Sequence, residues 1–315
     1  MDAFDGRNRS RSPVAKSSVP ADADVAAAHR LRESYKAPKQ SNFRVAAVLR
    51  FVRPDGSAGC IEAVNAEPHD ANIRGAICAE RAALCQFQRD EAAGGAKITR
   101  VVCVTDATFS IFPGPCCREF LTSTCSPEVE IVASGTADTS KFEAIRLSEL
   151  LPLPSVYCHK DQDAMKALGQ KLASQVKPPK DSNASLAYEA ALAYAKRQEQ
   201  QARVFPVLFA AAVHFEDGTT HATAELKGVE YGCTVDAVSL LLPEMINRRG
   251  QPGKIATCVI QVDQFGIAHA PFAAARSLLV EHGFGKTMVY AHQVDGEWAP
   301  PMSALESMPH AGYAE

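Results

Sequence analysis

The 315-residue chain runs through the same order of signals twice, and this internal duplication limits its fold more than any other feature. In the first half Phe43-Arg44-Val45 opens a strand, Asp55-Gly56 turns it, and Cys78 begins a helix through Leu84. In the second half Phe205-Pro206-Val207 opens a strand, Asp217-Gly218 turns it, and Cys233 begins a helix through Leu242. Lys97-Ile98 then leads a β-rich run to Asp106, and Lys254-Ile255 leads a run of equal length to Asp263. Pro113 stands five residues before Arg118, as Pro271 does before Arg276, and each pair opens a short apolar helix. Both helices yield to strands, near Glu130-Ile131-Val132 and Thr287-Met288-Val289-Tyr290. Each half therefore predicts β-hairpin, helix, strand, helix, strand. The expected fold class is α/β, two tandem three-layer α/β/α sandwiches whose mixed sheets are buried on both faces.

An apolar content of 46% is enough for two cores. The expected organisation is a disordered tail over 1–22, a first domain over 23–165, a linker over 166–183 and a second domain over 184–310. Arg7-Asn8-Arg9-Ser10-Arg11-Ser12-Pro13, polar and without period, marks the tail. The proline-stiffened Gln175-Val176-Lys177-Pro178-Pro179-Lys180-Asp181 marks the linker. Val25 to Tyr35 and Ala184 to Gln201 read as helices leading into the two sheets. With 33 basic and 36 acidic residues, a formal net charge of −3, there is no positive excess to draw the chain onto phosphate backbones or anionic membranes. A single Trp likewise offers no stacking platform for single strands. Nucleic acid and membrane are thus excluded as expected partners. Ten cysteines without a leading signal peptide read as reduced thiols, and the expected compartment is cytoplasmic.

The chemistry concentrates in the first half. Cys78 sits where its helix begins, so unpaired amides and the positive end of the helix dipole favour its thiolate. Glu80 follows two residues later, which puts a proton carrier beside a soft metal ligand. Cys117 opens its own short helix, with Arg118 next to it to offset the charge of gathered thiolates. Two thiolates and a carboxylate on matched elements point to a zinc centre that hydrolyses an amine from a base.

Asn65-Ala66-Glu67, Cys78-Ala79-Glu80-Arg81-Ala82-Ala83-Leu84 and Cys117-Arg118-Glu119 together resemble the cytidine deaminase family of zinc enzymes. The resemblance runs from about Ala28 to Leu150 and returns in degraded form from about Ala187 to His292. It implies Zn2+ as cofactor, Glu80 as the catalytic acid and base, and Cys78, Cys117 and Cys116 as the candidate metal ligands. It implies that Asn65 and Glu67 hold the sugar hydroxyls, with Phe43 and Ala79 at the substrate pocket. The implied activity is hydrolytic deamination of cytidine or 2′-deoxycytidine in pyrimidine salvage, on a free nucleoside, by a homodimer. A catalytically inactive scaffold that binds a partner is the alternative.

The departure lies in Pro113-Gly114-Pro115-Cys116-Cys117-Arg118, where that family carries Pro-Cys-x-x-Cys-Arg. Gly114 holds the place of one ligand. Three outcomes stay open: Cys116 bends round to ligate, another side chain or a second water takes the position, or the metal is absent. In the second half the expected equivalents are Cys233 for Cys78, Val235 for Glu80, Phe272 for Gly114 and Ala275 for Cys117, so that copy is expected to be inert. Phe272 is expected either to reach a neighbouring subunit's pocket or to fill the space of the lost site.

Overall fold

The computed structural model describes residues 22–68, 76–199, 207–227 and 234–310; residues 1–21 of the expected tail, and Cys233, lie outside them. By its contacts the chain divides into two units, Met1–Phe112 with Glu130–Ile145, and Pro113–Val129 with Arg146–Glu315.

The first sheet has the order β2-β1-β3-β4-β5, built from β1 (Val45–Val52), β2 (Ala58–Val64), β3 (Lys97–Thr105), β4 (Glu130–Ser134) and β5 (Glu143–Arg146). The β1–β2 hairpin closes at Asp55-Gly56, where the Asp55 carboxylate accepts from Ser57 N at 2.8 Å and Gly56 takes φ +84°. That backbone conformation favours glycine, which is why the Asp-Gly pair is a turn signal. β3 and β4 run parallel, so a crossover must join them, and α3 (Pro115–Thr124) forms part of it. Side chains alternate across the sheet. Ala46, Val48, Val102, Val104 and Val132 meet Val25 and Ala28 of α1 (Ala23–Ser34). The alternate positions Ala47, Leu49, Phe51, Val101 and Cys103 are buried on the other side, the side of α2 (Ala79–Asp90), where Phe51 meets Phe87 edge-to-face at 5.5 Å.

The short helix α4 (Leu147–Leu150) and α5 (Gln162–Leu172) precede the second sheet, and α6 (Ser182–Glu199) leads into it. Its order is β11-β10-β8-β6-β7, from β6 (Phe209–Phe215), β7 (Thr220–Ala224), β8 (Ala256–Asp263), β10 (Met288–Tyr290) and β11 (Met302–Ser303), with β9 (Ala268–His269) paired to β8. Ala184, Ala187, Tyr188 and Ala191 of α6 pack on Ala210, Ala212, Ile260 and Val262. On the opposite face Val238, Leu241 and Met245 of α7 (Ala237–Arg248) and Leu279 of α8 (Ala273–Glu281) pack on Ala211, Val213, Phe215 and Val259. The mixed α/β architecture expected from the repeat is present, with two mixed sheets and helices on them.

The strand registers align the two copies without reference to residue identity. Val45 pairs with Thr105 as Phe209 pairs with Asp263, and Ala66 bridges Ile77 as Leu226 bridges Val235. Cys78 is the N-cap of α2 and Asp236 the N-cap of α7, and both helices have 12 residues. The equivalences expected from cysteine matching are therefore corrected by three residues. Asp236, not Cys233, answers to Cys78, and Val238, not Val235, answers to Glu80. Matching on cysteine misplaced them because helix register follows the cap and the preceding bridge, which sidechain identity does not report. The same offset sets Gln261 against Cys103, while Phe272 against Gly114 and Ala275 against Cys117 stand as expected. Phe272 packs edge-to-face on Phe209 within its own chain, ring centroids 5.3 Å apart.

Two buried arginines act as clasps. Arg118 donates to the carbonyls of Pro113 (2.7 Å), Leu150 (3.0 Å), Pro309 (2.5 Å) and His310 (2.7 Å). Arg276 donates to those of Pro271 (2.6 Å), Pro152 (2.5 Å), Ser307 (3.0 Å) and Leu153 (2.8 Å). A guanidinium is the one side chain with enough fixed N–H groups to satisfy four converging carbonyls. Besides the charge-offsetting role expected of it next to Cys117, Arg118 ties down backbone.

His292 is buried, its Nδ1 accepts from Ala268 N at 2.8 Å, and its ring lies 3.9 Å from that of Trp298. Burial pushes its pKa down to about 4. Above the unfolded value near 6.5 both states hold it neutral. As the pH falls from there to about 4 only the unfolded chain takes up the proton, so stability is lost across that window, on the order of 3 kcal/mol in all. The urea midpoint is expected to fall between pH 7 and pH 4 by more in the wild type than in H292N, which lacks the titrating group.

Candidate active site

The Ala66–Ile77 bridge, with N–H···O distances of 2.9 and 2.8 Å in the two directions, holds the entry of α2 beside the end of β2. It sets Cys78 at the N-cap (φ −66°, ψ 154°) and Glu80 in the first turn, 3% exposed. Pro113 and Gly114 lead into α3, where Gly114 is the N-cap and Pro115 occupies the first turn, a position that needs no N–H donor. Cys117 follows in that turn, 1% exposed. The Sγ atoms of Cys78 and Cys117 and a carboxylate oxygen of Glu80 all lie within 4.8 Å of one another. Cys78 and Glu80 at the start of α2, and Cys117 at the start of α3, each lie by unpaired amides and the positive dipole end of their own helix, which favour an anionic side chain. Arg81 adds a cation: its Nη2 stands 3.5 Å from Cys78 Sγ and donates to Ala76 O at 2.9 Å. The two sulfurs are soft donors of the kind zinc takes, and the Glu80 carboxylate stands beside them.

Cys116 is exposed and stands outside this cluster. Successive helical residues point about 100° apart, so Cys117 facing inward turns Cys116 away. Gly114 has φ −68°, and a Cβ built on it meets no atom within 4 Å. Neither backbone conformation nor crowding demands glycine at that position.

Asn65 is 8% exposed and fully engaged. Its Oδ1 accepts from the Tyr35 hydroxyl and from Val45 N (2.8 Å), and its Nδ2 donates to Phe43 O (3.0 Å) and Glu67 Oε1 (3.2 Å). The Glu67 carboxylate also accepts from Ser41 N (3.1 Å) and Ser41 Oγ (2.8 Å). Among the described residues these contacts take three of roughly four acceptor sites on Glu67. Phe43 is half-buried and enters this network through its backbone; Ala79 is fully buried behind Glu80. Burial pushes the Tyr35 phenol up, so it stays a donor at neutral pH.

Sequence reasoning missed Tyr35, Ser41, Arg81 and Cys103. The Cys103 thiol hydrogen-bonds the Glu80 carboxylate, and burial together with that carboxylate pushes it well above the usual thiol range. Strand alternation puts Cys103 on the α2 side, a signal present in Val101-Val102-Cys103-Val104 but silent about what stands opposite. In the second copy Asp236 caps its own helix by accepting from Ser239 N at 2.9 Å, and Val238 and Ala275 are buried among apolar residues. No thiol or carboxylate pair remains at those positions.

The protein is of the α/β class with repeated mixed sheets, and its Cys78, Glu80 and Cys117 form one cluster. Among solved structures it is similar to a cytidine deaminase from Burkholderia pseudomallei, with 28% identity and a TM-score of 0.35 over 42% of this chain and 97% of that one. It is also similar to the cytidine deaminase from Mycobacterium leprae (28%, TM-score 0.29, 41% and 93%) and to that from Mycobacterium tuberculosis (21%, TM-score 0.34, 42% and 100%). No protein-family model and no curated protein matches the chain. At these TM-scores the likenesses carry no functional argument, which rests on the chain's own residues.

Proposed function

We propose that the chain catalyses the zinc-dependent hydrolysis of cytidine or 2′-deoxycytidine to uridine or 2′-deoxyuridine and ammonia. The observation that carries this reading is the convergence of Cys78, Glu80 and Cys117 within 4.8 Å. Zinc held by those sulfurs would supply a Lewis acid and make water nucleophilic at neutral pH. Glu80 takes one proton from the attacking water and delivers it to N3 of the ring, then takes the second from the hydroxyl that the attack leaves on C4 and delivers it to the departing amine. Water enters and ammonia leaves, so atoms balance. Glu67 accepts a sugar hydroxyl, and Asn65, which donates to its carboxylate, acts through it as a positioning residue. A carboxylate at the sugar edge repels a phosphate there, which favours a free nucleoside.

On this reading 23–165 is the catalytic domain and 184–310 its degenerate copy. The protein acts in pyrimidine salvage in the cytoplasm, as a homodimer. Sedimentation at micromolar concentration tests the dimer.

The direct test is ammonia release from cytidine by zinc-loaded protein, with zinc counted per chain. E67Q is expected to raise KM for cytidine about 10-fold with little change in kcat, because the lost contact is a charge-assisted hydrogen bond made equally before and during reaction. Gly114 at a ligand position favours the second reading, an inactive scaffold. Protein that takes up no zinc and turns over neither nucleoside decides for it.

A further inference from the structure

The β8–β9 turn carries a polar constellation that the chemistry above does not use, and all of it lies in the second unit. Asp263 ends β8 and His269 ends β9, and Gly266 takes φ +87° in the turn that folds one strand back on the other. Asp263 Oδ1 accepts from Phe265 N (2.8 Å) and Ile267 N (3.0 Å), which fixes the carboxylate, and Oδ2 accepts from the Tyr157 hydroxyl at 2.6 Å. His269 Nε2 stands 3.1 Å from the same Oδ2. A carboxylate only accepts, so in the neutral ring Nε2 carries the hydrogen and Nδ1 keeps its lone pair. Ser155 Oγ lies 3.2 Å from that Nδ1 and therefore donates to it. The Ser155 oxygen also accepts from Tyr157 N at 3.2 Å, which uses one of its two lone pairs. Asp263 is 0% and His269 2% exposed, whereas Ser155 is half-buried, so the serine is the member that solvent reaches.

We propose that Ser155 is a nucleophile activated by His269, which Asp263 orients, and that the three form an acyl-transfer centre for small carboxylic esters. Serine acyl transfer needs a nucleophile within hydrogen-bond reach of a base that a third group orients, an arrangement defined by roles and not by position in the chain. Here Nδ1 faces the serine and Nε2 the aspartate. Either ring nitrogen can take a proton, so the chemistry is the same in this orientation. A bond forms between Ser155 Oγ and the ester carbonyl carbon, the bond from that carbon to the leaving oxygen breaks, and the serine proton passes to Nδ1 and on to the departing alcohol. Water then repeats the step on the acyl-serine and the acid leaves; nothing is oxidised or reduced. Half-buried Phe209 packs edge-to-face on the His269 ring at 5.2 Å and on half-buried Phe272 at 5.3 Å, so the surface beside the base is aromatic and suits an apolar acyl or aryl group. None of these groups takes part in the zinc reading above.

p-Nitrophenyl acetate added to the full-length protein tests it. The wild type is expected to release a burst of about one p-nitrophenol per chain and to carry the acetyl group on Ser155 in a peptide map by mass spectrometry. S155A should lose the burst, and H269N should slow it about 10²-fold, the size of a general-base contribution. Absence of a burst in the wild type, an acetyl group on another residue in place of Ser155, a burst that survives in S155A, or H269N acylating at the wild-type rate overturns the assignment. Should H269N not fold, the wild type unfolded in urea takes its place, since it keeps the serine and loses the constellation. Ser155 acetylated there as fast as in the native chain overturns the assignment, and acetylation of Ser155 confined to the native chain supports it.

Discussion

The E80Q protein is expected to keep its metal and its fold while ammonia release from cytidine falls by about 10³-fold or more. Glutamine has nearly the shape of glutamate, and its amide oxygen can still accept from the Cys103 thiol, so the buried first turn of α2 has no reason to open. What is lost is the ability to take and return a proton. Two transfers to substrate are assigned to that one carboxylate, to the ring nitrogen and to the leaving amine, and among the described residues no other carboxylate joins the cluster. Zinc content and ammonia release measured on the same preparation check it. An E80Q protein that turns over at the wild-type rate would take the proton-carrier role away from Glu80.

R276M is expected to lower stability by about 4 kcal/mol, read as a drop in the urea midpoint at constant slope. The side chain is 2% exposed, and its guanidinium serves four carbonyls at 2.5 to 3.0 Å. Burial pushes its pKa down only to about 10, so the charge persists at neutral pH and strengthens each bond. Methionine fills the volume but leaves those carbonyls without donors, at a cost of about 1–3 kcal/mol for each one that cannot reach water. R276K should recover less than half of the loss, since one ammonium cannot span a fork that two guanidinium nitrogens and the Nε share. A change below about 1 kcal/mol in R276M would show that the clasp is dispensable.

The architecture was legible wherever backbone chemistry leaves a local mark. Asp55-Gly56 and Asp217-Gly218 announce their hairpins because an Asp carboxylate caps the turn and glycine takes the positive φ. Equal spacings in the two halves announced the duplication. Cys78, Glu80 and Cys117 were legible as one group because helix starts favour anions and the two starts recur in matched places. The equivalence of Cys233 with Cys78 failed by three residues, since a shared cysteine looked like a better anchor than the capping Asp236, whose side chain differs while its place in the backbone does not.

Sequence alone determined what is periodic or local: two α/β copies, their turns, and a first copy with thiols and a carboxylate at helix starts. Only the tertiary structure decided which side chains meet. Tyr35 reaches Asn65 across 30 residues, Arg118 reaches the carbonyls of 309–310 across almost 200, and Cys103 meets Glu80 through a strand and a helix that share no motif. Such contacts depend on how the buried faces of separate elements come to rest on each other. No spacing along the chain encodes that, because a strand cysteine packed as a small apolar group and one facing a carboxylate have the same neighbours in sequence.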